Sequence, residues 1–352
     1  MSDSFSSRLE NLFNWKPDNS CINILTIDAH TEGEPLRVIV GGLPELKGNS
    51  VLSKRKYLKD NFDHIRKVLM WEPRGHSDMY GCIVTPPFSK DADFGVIFTH
   101  NEGYSTMCGH GIIAVTKVML ETGFIPKIEP ITKLKIDSPA GFITSYAKVN
   151  NGKVGSMYFH NVPSFVYLID QKVDVKEIGN VKYDIAFGGA YYAFVNAASV
   201  GLTCTPDKIK ELIDVGMKIK KAVIKKEKII HPFESDLNFL YGTIFIGPPK
   251  DKNSHSRNVC IFADGEVDRS PTGTGVSARM ALHYKKNEIK IGQKLIIESI
   301  IGTTFTASVV STTKFGEYDS VIPEVEGTAF ITGKNQFIID PSDNLKDGFL
   351  IK

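Results

Sequence analysis

The sequence predicts an α/β protein in which one unit of mixed sheet and helix occurs twice. Three observations carry that prediction. A short pattern occurs at Cys108-Gly109-His110-Gly111-Ile112-Ile113-Ala114 and again at Thr272-Gly273-Thr274-Gly275-Val276-Ser277-Ala278. In both copies glycine holds the second and fourth places, alanine the seventh, and apolar helix-like sequence follows. The copies lie 164 residues apart in a chain of 352, and strand-like and helix-like segments surround both in the same order.

The elements follow from local pattern. Residues 22–27 and 36–40 are strand-like runs around a polar insert, 28–35, and Gly41-Gly42-Leu43-Pro44 ends the pair. Residues 57–71 predict a helix. Residues 81–85 and 94–100 predict strands, with Pro86-Pro87 between them. A polar loop, 101–107, leads into the first glycine turn. Its helix runs to about Thr122, where Gly123 is a natural C-terminal stop. Strands follow at 134–136, 142–149 and 156–159.

The second half repeats this order. Residues 183–187 and 191–196 predict strands flanking Gly188-Gly189. Residues 205–228 predict a helix, with Thr205 as N-cap and Pro206 at its first position. Its lysines (Lys218, Lys220, Lys221, Lys225, Lys226 and Lys228) read as a solvated face. Strands at 239–246 and 258–262 precede the second glycine turn, whose helix ends near Lys286. Strands at 295–299, 304–310 and 326–331 close the half.

Composition narrows the function classes. Residues are 42% hydrophobic and 23% charged, and a net charge of +2 gives no argument for a nucleic-acid partner. No run approaches the roughly 18 apolar residues of a membrane span. Residues 1–20 are polar and lack the apolar core of a signal peptide. They read as a short arm, whose Leu9, Leu12, Phe13 and Trp15 are available to pack on the body. Five cysteines, widely spaced and without a CxxC pair, fit free thiols in a reducing, cytoplasmic compartment. Cys82 and Cys260 lie in apolar strands and read as core.

The glycine turns carry the chemistry. A helix start exposes unpaired N–H groups and the positive end of the helix dipole. Glycine lets an anion approach that backbone closely, so two such turns can share one carboxylate. Cys108 heads the first, where the helix terminus favours the thiolate and is expected to lower its pKa. Thr272 heads the second. An alcohol does not ionise usefully near neutral pH, so Thr272 offers hydrogen bonds but no base. Asp268 is either a loop-capping Asx residue or an acceptor for a substrate amine. His110 is available to donate to a carboxylate.

Other patterns are weaker. Gly109-x-Gly111-x-x-Ala114 and Gly273-x-Gly275-x-x-Ala278 match a dinucleotide fingerprint, but polar loops rather than strands precede both. Cys108, His110, His30 and Glu32 show no familiar metal-ligand spacing. No Walker A sequence and no Gly-x-Ser-x-Gly elbow occurs.

Several longer segments resemble the proline racemase family. They are Asp28-Ala29-His30-Thr31-Glu32-Gly33-Glu34-Pro35, Met107-Cys108-Gly109-His110-Gly111, Asp137-Ser138-Pro139-Ala140-Gly141 and Asn161-Val162-Pro163-Ser164. Phe187-Gly188-Gly189 with Tyr191-Tyr192-Ala193, and Asp268-Arg269-Ser270-Pro271-Thr272-Gly273-Thr274-Gly275, complete the set. The resemblance implies a diaminopimelate-epimerase-like fold: two similar domains, each wrapping mixed sheet around a central helix. With the repeat, it sets an arm at 1–21, a first domain at 22–164 plus 332–352, and a second at 165–331. The final stretch is expected to pack back on the first domain. It also implies a small-molecule substrate between the domains, no pyridoxal phosphate, no metal, and a homodimer.

Racemases and epimerases of that family carry a cysteine at the head of each turn. Thr272 departs from this, and the departure resembles the branch that dehydrates trans-3-hydroxy-L-proline. The implied reaction is removal of the Cα proton by Cys108 and loss of the 3-hydroxyl, giving Δ1-pyrroline-2-carboxylate and water. Gly109, His110, Gly273 and Thr274 would hold the carboxylate, Asp268 the ring nitrogen, and Thr272 the departing hydroxyl or a water. The alternatives are a proline racemase or 4-hydroxyproline 2-epimerase, and a non-catalytic amino-acid-binding protein.

Overall fold

The computed structural model describes residues 5–12 and 14–351, so residues 1–4 and Phe13 of the expected arm lie outside it. Among the described residues there are five α-helices and eighteen strands. Helix α1 (Phe5–Leu12) leads to β1 (Ile22–Thr31), β2 (Glu34–Gly41), α2 (Val51–Met70), β3 (Tyr80–Thr85), β4 (Phe94–His100) and β5 (Tyr104–Ser105). Then come α3 (Gly109–Glu121), β6 (Ile131–Ser138), β7 (Gly141–Asn150) and β8 (Lys153–His160). The second series is β9 (Ser164–Val175), β10 (Gly179–Phe187), β11 (Tyr191–Asn196), α4 (Ile209–Lys226), β12 (Leu240–Gly247), β13 (Ser256–Phe262) and β14 (Glu266–Val267). It ends with α5 (Gly273–Lys285), β15 (Leu295–Glu298), β16 (Thr304–Phe315), β17 (Tyr318–Gly327) and β18 (Ala329–Ile339).

The strand pairing is duplicated. In the first half β2 runs parallel to β3, β3 antiparallel to β4, and β4 parallel to β6, which continues antiparallel through β7 and β8. In the second, β11, β12, β13, β15, β16 and β17 repeat that sequence of directions. Helices α2 and α4 cross over at equivalent parallel pairs, as parallel strands require. In the second half β9 also pairs with β10 and β17, closing a ring of strands that leaves no open edge. β18 returns to pair with β1, which also pairs with β2, and β8 pairs with β17 to join the halves.

Each half wraps its own helix. α3 packs on β1, β2, β7, β8 and β18, and α5 on β9, β10, β11, β16 and β17. A helix buried around its whole circumference must be apolar on all sides. α3 obeys this, with Ile112, Ile113, Ala114 and Val115 all fully buried. α5 buries Arg279 as well, and satisfies it through Ser256 Oγ (2.7 Å) and Asn258 Oδ1 (2.9 Å).

Four expectations change. The insert 28–35 is mostly strand: β1 and β2 run on to a two-residue turn at Glu32-Gly33, both with positive φ (51° and 96°), as in tight hairpins. α2 starts at Val51 rather than 57, because Ser50 and Ser53 form a reciprocal capping box. The helix expected from Thr205 begins as a 3₁₀ turn, Pro206–Lys208, and Thr205 makes no side-chain cap bond. Of the arm's apolar residues, Leu9, Leu12 and Trp15 are exposed rather than packed.

Candidate active site

Strand β4 and the short β5 deliver the chain to Cys108, the N-cap of α3. Its backbone is extended (φ −144°, ψ 108°), and its Sγ accepts a hydrogen bond from Gly111 N–H at 3.1 Å. Strands β13 and β14 deliver the second turn the same way. Thr272 caps α5 at φ 68° and ψ 92°. A β-branched residue there is strained by about 1–3 kcal/mol. Its neighbours hold it: Thr272 N–H donates to Ser270 Oγ (3.1 Å), and Asn258 Nδ2 donates to the Pro271 carbonyl (3.1 Å). The Thr272 hydroxyl oxygen is buried without a hydrogen-bond partner.

The two helix starts meet directly. A Cβ on Gly109 would lie 2.6 Å from Gly273 Cα, and one on Gly273 would lie 2.7 Å from Gly109 Cα. Only glycine permits this approach, and it aims two sets of unpaired N–H groups and two positive dipole ends at one point. The point is a cavity of about 20 Å³. All seven residues singled out from the sequence line it: Cys108, Gly109, His110, Asp268, Thr272, Gly273 and Thr274.

Burial dominates the electrostatics. The Cys108 thiol is pushed well above its ordinary value by desolvation, and the Gly111 N–H acts against this without overcoming it. The lowered pKa expected from the helix terminus is therefore corrected: burial of the sulfur favours the neutral thiol. His110 sits with Nδ1 3.3 Å from Cys108 Sγ, and burial lowers its pKa to about 3, so the imidazole is neutral. Asp268 is pushed up to about 6 by burial, against the bonds from Ser270. The Asx reading of Asp268 and its place in the cavity hold together, since its Oδ1 accepts from Ser270 N–H at 2.8 Å. The Thr274 hydroxyl pairs with Tyr192 at 2.7 Å.

The proline racemase family model matches residues 26–350. The chain belongs to the proline racemase family. It is 48% identical over 341 residues to a protein of Colwellia psychrerythraea named trans-3-hydroxy-L-proline dehydratase, covering 96% of each chain. It is 42% identical to the proline racemase of Clostridioides difficile, covering 94% of this chain and 98% of that one. Among solved structures it is similar to a hydroxyproline epimerase from Agrobacterium vitis with bound trans-4-hydroxy-L-proline. That match has a TM-score of 0.89 at 30% identity and covers 94% of this chain and 95% of the other. The fold is the two-fold α/β architecture that the resemblance implied.

Several segments shared with the proline racemase family frame the cavity without lining it. Asp28 is paired with Arg37 at 2.8 Å. Asp137 accepts from the Phe88 and Ser89 N–H groups (2.7 and 2.8 Å) and orders that turn. Asn161 donates to the Gly188 carbonyl at 2.7 Å, and a Cβ on Gly188 would stand 2.2 Å from the Thr274 carbonyl oxygen. Glu34 is fully buried beside the second turn and accepts from Arg269 N–H at 2.6 Å.

Sequence reasoning gave no site role to part of the wall: Tyr80, Tyr241, Cys260 and Phe262, and Tyr192, which it noted only within a segment shared with the family. Cys260 is buried, as expected of a core residue, but it faces this cavity. Period-two alternation along β13 places Asn258, Cys260 and Phe262 on one face, and Asn258 holds the second turn. That alternation was the available signal. Tyr80 and Tyr241 arrive from β3 and β12 and had none. Among the described residues no group of three His, Cys, Asp or Glu side chains is arranged to hold a metal.

Proposed function

We propose that this protein dehydrates trans-3-hydroxy-L-proline to Δ1-pyrroline-2-carboxylate and water, without a cofactor. One observation carries the reading. Two anion-binding helix starts meet on a buried cavity, and their heads are unequal: a thiol on one side, an alcohol on the other. Relatives named trans-3-hydroxy-L-proline dehydratase at 48% and 49% identity support it.

The substrate carboxylate sits against the N–H groups of Gly109, His110, Gly273 and Thr274, which also stabilise the enolate-like charge that develops. The ring nitrogen, a cation, sits against Asp268. Burial is the larger cause of the raised Cys108 pKa and the Asp268 charge a lesser one; the contact offsets the second and so shifts Cys108 towards the thiolate with substrate in place. Cys108 removes the Cα proton, the 3-hydroxyl leaves as water, and the enamine tautomerises. No second base is needed, because nothing reprotonates the opposite face.

Stereochemistry sharpens one role. In the trans isomer the 3-hydroxyl is opposite the carboxylate, and so on the same ring face as the Cα hydrogen. The leaving group therefore faces Cys108, and Thr272, on the other face, is left to hold a water. Offered both isomers, the protein should convert trans-3-hydroxy-L-proline and leave cis-3-hydroxy-L-proline at least about 100-fold slower, the smallest usual contribution of a positioned proton donor. Equal rates by NMR would contradict the reading.

The same reading divides the chain at 22–164 plus 332–352 and 165–331, and sets it in the cytoplasm as a homodimer. Five unpaired cysteines fit that compartment. No helix is long and apolar enough to cross a membrane among the described residues.

A further inference from the structure

We propose that Tyr80 is a catalytic residue, the acid that protonates the departing 3-hydroxyl. The inference rests on the dehydratase reading and adds a group to it. Elimination from one ring face places base and leaving group on the Cys108 side, so the acid must come from that side. Thr272 lies opposite. Tyr192 is engaged with Thr274 on the second turn. The His110 imidazole is neutral and turned to the Cys108 sulfur.

Tyr80 has the required position. It starts β3, is 3% exposed, lines the cavity, and stands edge-on to the His110 ring at 4.8 Å between centroids. Its hydroxyl is hydrogen-bonded to Ser105 Oγ, on the strand that leads to Cys108. The neighbouring Tyr241 hydroxyl is buried in the same wall without a partner. A polar group left unpaired in such a wall is costly unless a ligand pairs it, and a substrate hydroxyl placed between the two phenols would do so.

The step balances. Cys108 thiolate takes the Cα proton, and the C–H electron pair forms the Cα–C3 double bond. The C3–O bond breaks, and its oxygen takes the Tyr80 proton and leaves as water. The Tyr80 phenolate then recovers a proton from the Cys108 thiol, so both groups are reset without solvent.

The test changes the leaving group. Fluoride leaves without being protonated to the degree that hydroxide requires. Tyr80→Phe should slow dehydration of trans-3-hydroxy-L-proline by about 100-fold or more. Fluoride release from trans-3-fluoro-L-proline by the same variant should stay within about 10-fold of the parent, which is well short of that loss. Circular dichroism checks that the variant is folded. Equal loss on both substrates would assign Tyr80 a structural role and overturn the proposal. So would a variant as fast as the parent on both, which would make Cys108 itself the proton donor. A parent that releases water but not fluoride also contradicts it, since the same base serves both. A parent that dehydrates neither isomer of 3-hydroxy-L-proline removes the dehydratase reading, and this step with it.

Discussion

Asp268 and Thr272 each pair a strained or disfavoured state with a position in the cavity wall. Asp268 is ionised at neutral pH in a site that raises its pKa to about 6 from 3.8. Asp268→Asn keeps an oxygen for the Ser270 N–H and removes the buried charge. It should raise the stability of the ligand-free protein by about 1–3 kcal/mol at pH 7.5 while abolishing turnover. The gain should shrink as pH falls through about 6 and vanish below about 4, where both side chains are neutral. Thermal unfolding across that range measures it, and a destabilised variant at pH 7.5 contradicts it. Thr272→Cys restores a thiol to the opposite face. It should gain slow inversion of L-proline, at least about 10-fold above the parent's background, since a positioned base is worth ~10²–10⁴-fold. Chiral chromatography reads the outcome. The residues of both turns were legible from sequence because the chemistry there is local. The direction of the Cys108 shift was not, because desolvation by distant strands outweighs the helix end that the sequence displays.

At the scale of elements, the contact between α3 and α5 is backbone against backbone. Gly109→Ala places a methyl 2.6 Å from Gly273 Cα, and neither helix start has a flexible side chain to yield. The substitution should cost about 1–3 kcal/mol, as overpacking does, and reduce activity at least about 100-fold by displacing the carboxylate site. A lowered melting temperature with intact activity would mean that the helix starts can separate and still bind. Helices and most short strands were legible from period and turn residues. β17 was not: Pro323 and alternating charges disguise it. The structure tolerates Pro323 because β16 carries an irregularity between Val309 and Ser311, where a ladder N–H is not required. β9 was missed as well, its solvent-facing half being polar.

At the scale of the whole molecule, duplication supplies two equivalent helix starts and divergence makes their leading residues chemically unequal. The order of strands and helices displayed the duplication. The closed ring around α5 and the β8–β17 junction did not show in the sequence, because long-range pairing leaves no local pattern. A cavity of about 20 Å³ has room for about one water molecule, so a proline ring fits only if the surrounding walls move apart. What then happens to the Cα proton is the central question. The direct measurement is incubation in D₂O with trans-3-hydroxy-L-proline, and separately with L-proline and trans-4-hydroxy-L-proline, followed by NMR and chiral analysis. One base and one alcohol predict pyrroline-2-carboxylate from the first substrate and negligible inversion of the other two. Fast inversion at Cα with no dehydration would contradict the account.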